Sequence, residues 1–251
     1  MPDLDPDRAR PGGLGAVAVI GDGRVGRAVA AALRGADVEV TGPLGRGATA
    51  ADADIVLLAV PDAEIAAAAA LVAPGRLVGH FSGATTLEPL APHEALGIHP
   101  LMTVAGETSF AGVPAAVAGS TPHALERARA IAEAIGMTAF EIADADRAAY
   151  HAAASIASNF LVALEVFAEE LAATAGVPRD ALVPLAQAAL DNWRSHGAAA
   201  LTGPIARGDE GTVSRQREAV HDRLPARSEL FDALTAATRD LAARELRGAT
   251  S

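Results

Sequence analysis

Hydrophobic and polar positions follow two different rhythms on either side of about residue 144. Before it, short apolar runs rich in β-branched residues alternate with alanine-rich runs at helical spacing. The apolar runs that we expect to be strands are 16–20, 38–41, 55–60, 77–81, 114–118 and 138–142. Continuously apolar strands that alternate with helices are typical of a mainly parallel sheet covered on both faces.

The helices predicted between these strands cover 24–33, 63–72 and 122–135, the last with Thr121 as its N-cap and Pro122 in its first turn. After residue 144 the strand pattern stops, and helical spacing continues through 146–175, 179–196, 212–221 and 226–246. We therefore predict a disordered tail over 1–13, an α/β domain over 14–144 and an all-α domain over 145–251.

A glycine-rich turn lies between the first predicted strand and its helix. Its residues, Gly21, Asp22, Gly23, Arg24, Val25 and Gly26, fit the spacing G-x-G-x-x-G. The first glycine would make the tight turn, the second would admit a pyrophosphate, and the third would let helix and strand pack closely. Phosphates are also attracted to the helix N-terminus. The turn predicts a dinucleotide site, and the alternative is a glycine-rich turn that binds nothing.

The second predicted strand bears on which dinucleotide would bind. NAD sites place a carboxylate about 20 positions after the motif, but here Thr41 is followed by no carboxylate before Arg46. Thr41 and Arg46, with Arg24 nearby, suit a 2′-phosphate, so we predict NADP over NAD. The alternative is that Arg46 is a solvated loop residue and that Glu39 binds the ribose.

The loop after the third predicted strand contains Val60, Pro61 and Asp62. Ligands of open α/β sheets bind beyond the carboxyl ends of the strands, so we expect this loop to line the cofactor site. Asp62 is also a candidate cap for the helix that follows, and the two interpretations are compatible.

Composition removes several kinds of chemistry. The chain of 251 residues has no cysteine, and all 20 of its basic residues are arginine. A thiol nucleophile, a cysteine-ligated metal and a lysine base or Schiff base are therefore excluded. The formal net charge of −11 disfavours nucleic acid and anionic membrane surfaces. With no leader-like apolar segment near the first residue and no charge-free apolar span, we expect a cytoplasmic protein outside the membrane.

Three polar clusters could carry proton chemistry. His80 and Ser82 follow the fourth predicted strand, His99 precedes a proline, and His151, Ser155 and Asn159 stand four residues apart on the long helix. Hydride transfer to a carbonyl or imine needs an acid and hydrogen-bond donors, so His99 is our first candidate for the acid and His151 the second. Ser82 and Asn159 would hold the reacting group, beside Ser155.

Each of these candidates has a structural alternative. His80 could only bond backbone at the strand end, and the helix stripe could pair at a dimer interface. Tyr150 could donate a proton, but we rank His151 above it. Arg207 would bind a substrate carboxylate or else pair with Asp209. The spacing of His, Asp and Glu suggests no metal site.

Six motifs, taken together, carry a family resemblance: IGDGRVG, DADIVLLAVPD, HFSGA, GIHPL, HAAASIASN and GPIARGD, in that order. They resemble a bacterial family that joins a Rossmann-like NAD(P)-binding domain to a helical C-terminal domain of unknown function. That family is similar to the 6-phosphogluconate dehydrogenase C-terminal-like group, which includes ketopantoate, pyrroline-5-carboxylate and prephenate enzymes. The resemblance implies an NAD(P)-dependent oxidoreductase whose helical domain binds substrate and forms a homodimer.

The resemblance carries over unevenly to single residues. His99-Pro100 looks like the catalytic His-Pro of prephenate dehydrogenases, whose site serine would be Ser82. Ketopantoate reductases and β-hydroxyacid dehydrogenases use a helical Lys-x-x-x-Asn, in which Asn159 matches but Ser155 replaces the lysine. We therefore expect an NADP-dependent reductase of a small carboxylate-bearing ketone or imine, such as a ketopantoate-like 2-keto acid. The alternative is a non-catalytic NADP(H) sensor.

Overall fold

The computed structural model describes residues 13–104 and 108–248. The chain divides into two compact units, residues 1–155 and 156–251, each with its own architecture. Of the tail predicted over 1–13, all but Gly13 lies outside the described residues.

Unit 1 is built on a seven-stranded sheet in the order β2-β1-β3-β4-β5-β6-β7. The strands are β1 (Val17–Ile20), β2 (Val40–Leu44), β3 (Ile55–Leu58), β4 (Leu77–His80), β5 (Glu94–Pro100), β6 (Pro114–Gly119) and β7 (Thr138–Glu141). The helices are α1 (Arg24–Gly35), α2 (Ile65–Ala69), α3 (Pro122–Ala134) and α4 (Arg147–Ser155). Neighbouring strands are parallel except β5 and β6, which confirms the predicted fold class.

Alternation along the strands builds a separate core on each face of the sheet. Val17 and Val19 of β1 belong to one core, which also contains residues of α1 and α3. Ala18 and Ile20 belong to the other, which contains residues of α2. Successive side chains of a strand point to opposite faces, so a continuously apolar strand requires helices on both sides. The two cores confirm that prediction.

Strand β5 is not among the strands predicted from the sequence. Glu94–Pro100 contains glutamate, glycine, histidine and proline, which are poor strand formers. The segment is nevertheless a strand because it pairs on both sides, parallel to β4 and antiparallel to β6. Strand β2 also lies later than predicted, at Val40–Leu44 rather than 38–41.

The chain remains helical across the boundary between the two units. Helix α4 ends unit 1, a π-helical segment spans Ile156–Phe160, and α5 (Leu161–Ala173) follows in unit 2. The sequence analysis places the boundary where the strands stop, at 144. The contacts instead group α4 with the sheet because its first residue, Arg147, is buried in unit 1.

Unit 2 consists of α5, α6 (Arg179–His196), α7 (Glu210–Arg223) and α8 (Ser228–Gly248). These helices confirm the predicted all-α region, with ends shifted by a few residues. Among the described residues, one helix, 144–173, is long and apolar enough to cross a membrane, judged by length and composition alone. Only 6% of its most apolar window is buried, so this helix presents a largely exposed apolar surface.

Candidate functional site

Three parallel strands, β1, β3 and β4, end level with one another at one edge of the sheet, and β5 continues three residues past them. The register aligns Ile20 of β1 with Leu58 of β3, Leu58 with His80 of β4, and His80 with Gly97 of β5. The segments that continue past this row are the glycine turn, the loop 59–62, the loop 81–87 and the end of β5 at His99 and Pro100. Four of the motifs found in the sequence therefore meet at this edge, where open α/β sheets bind their ligands.

The glycine turn has the geometry of a phosphate-binding loop. Gly21 has φ +116°, and a Cβ there would lie 2.2 Å from the carbonyl oxygen of Ala59. A Cβ on Gly26 would lie 1.8 Å from the carbonyl oxygen of Gly21, whereas one on Gly23 would meet no described atom within 4 Å. Gly23 is the N-cap of α1 and has no side chain to satisfy the first N–H groups of the helix. These N–H groups are therefore available to an anion beside an open space.

The end of β2 lies next to this turn. The amide of Gly21 donates to the carbonyl oxygen of Leu44 at 2.8 Å, so the segment that begins at Gly45 starts beside the glycines. Arg46 in this segment is 83% exposed and pairs with Glu64 at 2.8 Å. Thr41 lies earlier in the strand, opposite Ala18. Glu39 precedes β2 at the far end from the turn, which disfavours it as the ribose ligand.

The other predicted residues of the turn are at its surface. Arg24 is the first residue of α1 and is exposed, and Val25 is half-buried against the core. Asp22 forms an exposed ion pair with Arg27 at 3.2 Å. Arg24 is therefore the cation at the mouth of the turn, and Asp22 is partly neutralised by its neighbour.

Ser82 joins the loop after β4 to the loop after β3. Its hydroxyl donates to Oδ2 of Asp62 at 2.7 Å and accepts from the amides of Ala84 and Thr85 at 3.2 and 2.9 Å. Ser82 is 8% exposed, so its hydroxyl shapes the loop and orients Asp62. The prediction that Asp62 caps a helix is wrong, because its short helical turn has Pro61 as N-cap and no side-chain cap. Val60 and Pro61 line the same loop, Val60 half-buried and Pro61 exposed.

His80 is fully buried and bonds backbone on both sides of its ring. Nδ1 accepts from the amide of Ser82 at 3.2 Å, and Nε2 lies 3.1 Å from the carbonyl oxygen of Thr86, to which it donates. Burial lowers the pKa of His80, so the ring is neutral and carries its proton on Nε2. His80 therefore shapes the loop 82–86, which is the structural alternative considered for it.

His99, Tyr150 and His151 form the cluster with the greatest potential for proton transfer. Nδ1 of His99 lies 2.7 Å from the hydroxyl of Tyr150, and the rings of His99 and His151 are 6.0 Å apart at an interplanar angle of 70°. A Cβ on Gly83 would lie within 3 Å of both imidazoles, so the two rings pack directly against the backbone of the loop after β4. We refer to these three residues as the histidine–tyrosine cluster.

The surroundings of His99 and Tyr150 favour the uncharged forms of these two side chains. Burial, reinforced by the nearby His151 and Arg147, lowers the pKa of His99 to about 4. Burial raises the pKa of Tyr150. At neutral pH the pair is therefore an imidazole and a phenol joined by a hydrogen bond, and the imidazole N–H can donate a hydrogen bond while the pair stays uncharged.

The remaining predicted residues belong to the end of α4 and to unit 2. Ser155 is the last residue of α4, while Asn159 is exposed in the π-helical segment and Arg207 is exposed in the loop before α7, both in unit 2. Asp209, the other partner considered for Arg207, caps α7 by accepting from the amide of Thr212 at 3.0 Å. The described residues contain no group of three or more His, Asp or Glu placed to hold a metal.

Two residues of the site are underrated or missed by the sequence analysis. Tyr150 ranks below His151, although it is the residue that bonds His99. Arg147 is not noticed at all. The available signal is the spacing of Arg147, Tyr150 and His151, which are three and four residues apart and share one face of α4.

Comparison with known proteins covers both parts of the chain. Residues 44–104 match the Rossmann-like domain, and residues 113–238 match a domain of unknown function, DUF2520. The second match begins near β6, so it includes the last two strands of the sheet as well as the helices. Among curated protein sequences, none matches this chain.

Solved structures of similar fold extend over nearly the whole chain. A protein of Thermotoga maritima is 24% identical, covers 92% of this chain and 99% of its own, and has a TM-score of 0.76. A Bacteroides fragilis protein described as an NADP oxidoreductase is 19% identical, with coverages of 90% and 98% and a TM-score of 0.75. An imine reductase of Streptomyces aurantiacus is 17% identical, with coverages of 92% and 99% and a TM-score of 0.64. These likenesses show a shared fold, and the match to half of the sequence shows the family: the chain belongs to the proteins that carry the DUF2520 domain after a Rossmann-like domain.

Proposed function

We propose that the protein is a cytoplasmic NADP-dependent reductase of a small carboxylate-bearing ketone or imine. The observation that carries this proposal is the placement of the glycine turn and His99 at the same edge of one sheet. The names of the similar structures, an NADP oxidoreductase and an imine reductase among them, support the same class of reaction.

The residues of the glycine turn fit a dinucleotide. The open space over Gly23 and the uncapped N-terminus of α1 would take the pyrophosphate. Arg46 and Arg24 would bind the 2′-phosphate because both are exposed and Arg46 follows the strand end that bonds Gly21. When bound, NADPH supplies the hydride. The loop of Val60, Pro61 and Asp62 would line the cofactor site between the glycine turn and His99.

The histidine–tyrosine cluster would supply a hydrogen bond to the reacting atom, and water would supply the proton. As the carbonyl or imine is reduced, its oxygen or nitrogen gains electron density and needs a hydrogen-bond donor. His99 would donate from its ring, and the Tyr150 hydroxyl would hold that ring in orientation through the 2.7 Å bond. His151 would contact the same group from the other side. The substrate-orienting role of Asn159 and the carboxylate-binding role of Arg207, both in unit 2, stay predictions from the sequence.

Turnover with both reduced cofactors tests this proposal. We expect NADPH to be oxidised in the presence of some member of a panel of 2-keto acids and cyclic imines, and to bind at least about tenfold more tightly than NADH. Arg46→Ala should remove most of that preference, since a charge-assisted bond contributes about 1.5–3 kcal/mol. Arg76→Ala, which removes an arginine bonded to Ala51 at 2.9 Å, is the matched control. NADPH binding without turnover would favour the alternative function, a non-catalytic NADP(H) sensor. Tighter binding of NADH than of NADPH would overturn the cofactor assignment.

We also propose that unit 2 covers its apolar surface with a second copy of the chain. Helix α6 has no buried residue among those described. Its large apolar side chains Leu185 and Trp193 are 69% and 65% exposed. Ile156 and Phe160, in the preceding helical segment, are each 59% exposed. An apolar surface of this extent on a soluble protein marks an interface.

The mass in solution tests the dimer. We expect light scattering after size exclusion to give twice the chain mass of 25.2 kDa. Leu185→Glu should shift the protein to the monomer because it places a charge in an apolar contact. Leu71→Glu, at a residue of unit 1 that is 49% exposed, should leave the mass unchanged. A wild-type monomer, or sedimentation with lipid vesicles, would contradict the dimer.

A further inference from the structure

Arg147 is a buried cation for which the proposed reaction has no use. It is the first residue of α4, and its side chain is 1% exposed. Arginine is almost never fully buried without partners, because removing a guanidinium from water is costly. Its surroundings therefore indicate what it does.

The guanidinium reaches three separate segments of unit 1. Nε binds Oδ1 of Asp144 at 2.7 Å, and Nη1 donates to the carbonyl oxygen of Ser82 at 3.1 Å. Nη2 lies against β5, where a Cβ on Gly97 would be 2.2 Å away, and it has no hydrogen-bond partner among the described residues. Asp144 in turn accepts from the amide of Leu87 through both oxygens, at 3.1 and 3.0 Å. The pair thus joins the start of α4 to the loop after β4 and to β5.

The same two elements carry the histidine–tyrosine cluster. Gly97 and His99 are two residues apart in β5 and share one face of the strand. Arg147, Tyr150 and His151 share one face of α4. Arg147 lies against Gly97 just as Tyr150 and His151 lie against His99. One contact between helix and strand therefore contains both the buried arginine and the proposed hydrogen-bond donor, His99.

We propose that Arg147 and Asp144 are a positioning pair that fixes α4 against β5 and thereby sets the contact between His99 and Tyr150. The inference rests on the proposed function for its catalytic consequence, but the positioning itself concerns the free protein. The guanidinium bonds Asp144 and Ser82 and packs against Gly97. These contacts restrict both the sliding and the rotation of the first turn of α4. Gly97 is required because any side chain would occupy the space of Nη2.

Electrostatics gives the pair a measurable signature at His99. The groups that act on His99 are His151, Tyr150 and Arg147 from α4, Asp62 after β3 and His80 at the end of β4. The positive charge of Arg147 is among the causes that lower the pKa of His99, after burial and His151. Removing that charge should therefore raise the pKa of His99. Moving the guanidinium without removing its charge should mainly disturb the contact between His99 and Tyr150.

The experiment follows the imidazole of His99 by NMR titration of the full-length, ligand-free protein. We expect an upward shift of the His99 pKa from about 4 in Arg147→Met and a smaller shift in Arg147→Lys, which keeps the charge but loses the fork. Gly97→Ala should weaken the bond between Tyr150 and His99 with the charge still present. Gly35→Ala, where a Cβ meets nothing within 4 Å, is the matched control and should change neither property.

Steady-state kinetics adds the catalytic consequence. Arg147→Met, Arg147→Lys and Gly97→Ala should each lower kcat by roughly 10–100-fold, because a displacement of about 1 Å costs about that much, while NADPH affinity stays within about twofold. The positioning role would be overturned if folded Arg147→Met and Gly97→Ala proteins both kept the wild-type pKa of His99 and the wild-type contact between His99 and Tyr150. If Arg147→Met does not fold, Arg147→Lys and Gly97→Ala decide the question in the same way. Shifted titrations in a protein that turns over no substrate would support the positioning pair and reject the proposed function.

Discussion

Replacing His99 by alanine should lower kcat by about 10²–10³-fold, the usual cost of removing one hydrogen-bond donor from a developing charge. The reason is that the reduced oxygen or nitrogen loses its donor while the glycine turn, at the other end of the site, is untouched. NADPH affinity should therefore stay within about twofold of the wild type. Tyr150→Phe removes only the 2.7 Å bond to His99 and should cost about tenfold.

The pH profile distinguishes His99 from His151 as the donor. Because the pKa of His99 is lowered to about 4, the ring stays neutral from about pH 5 to 8, and kcat should show no break from His99 in that range. A pH-dependent break in kcat that vanishes in His151→Ala would assign the acid to His151 instead. His221→Ala, at a side chain that is 74% exposed, is the control and should keep full activity.

Replacing Gly26 by alanine should damage both stability and cofactor binding. The new Cβ would lie 1.8 Å from the carbonyl oxygen of Gly21 and 3.3 Å from the Cβ of Ala59, and neither atom belongs to a flexible side chain that could move away. We expect a loss of about 3 kcal/mol in the free energy of unfolding, the upper end of overpacking costs, and a fall in Tm of roughly 6–12 °C. The displaced turn should also weaken NADPH binding by at least about tenfold.

Gly35→Ala provides the comparison in the same helix. Gly35 is the last residue of α1, and a Cβ there meets nothing within 4 Å. This substitution should be neutral or stabilise the protein by about 0.5 kcal/mol, because alanine loses less backbone freedom on folding than glycine. Equal thermal unfolding and equal NADPH affinity in the two variants would show that α1 does not depend on close packing at Gly26.

The class of fold could be predicted because its determinants are local in the sequence. The continuously apolar runs require cover on both faces, and the glycine spacing follows an apolar strand and opens a helix. Strand β5 could not be predicted in this way. Its residues are poor strand formers, and it is a strand only because β4 and β6 pair with both of its edges.

The candidate site likewise has features that are local in the sequence and features that depend on tertiary contacts. The sequence by itself determined the glycine turn, the supply of proton donors left without lysine or cysteine, and His99 as the leading candidate. Only the tertiary structure decided that Ser82 and His80 shape loops, that Tyr150 bonds His99, and that Arg147 is buried beside them. The physical reason is that a side chain's charge state and free hydrogen-bonding groups depend on burial and on partners far away in sequence, such as Tyr150 for His99, and no local pattern encodes these.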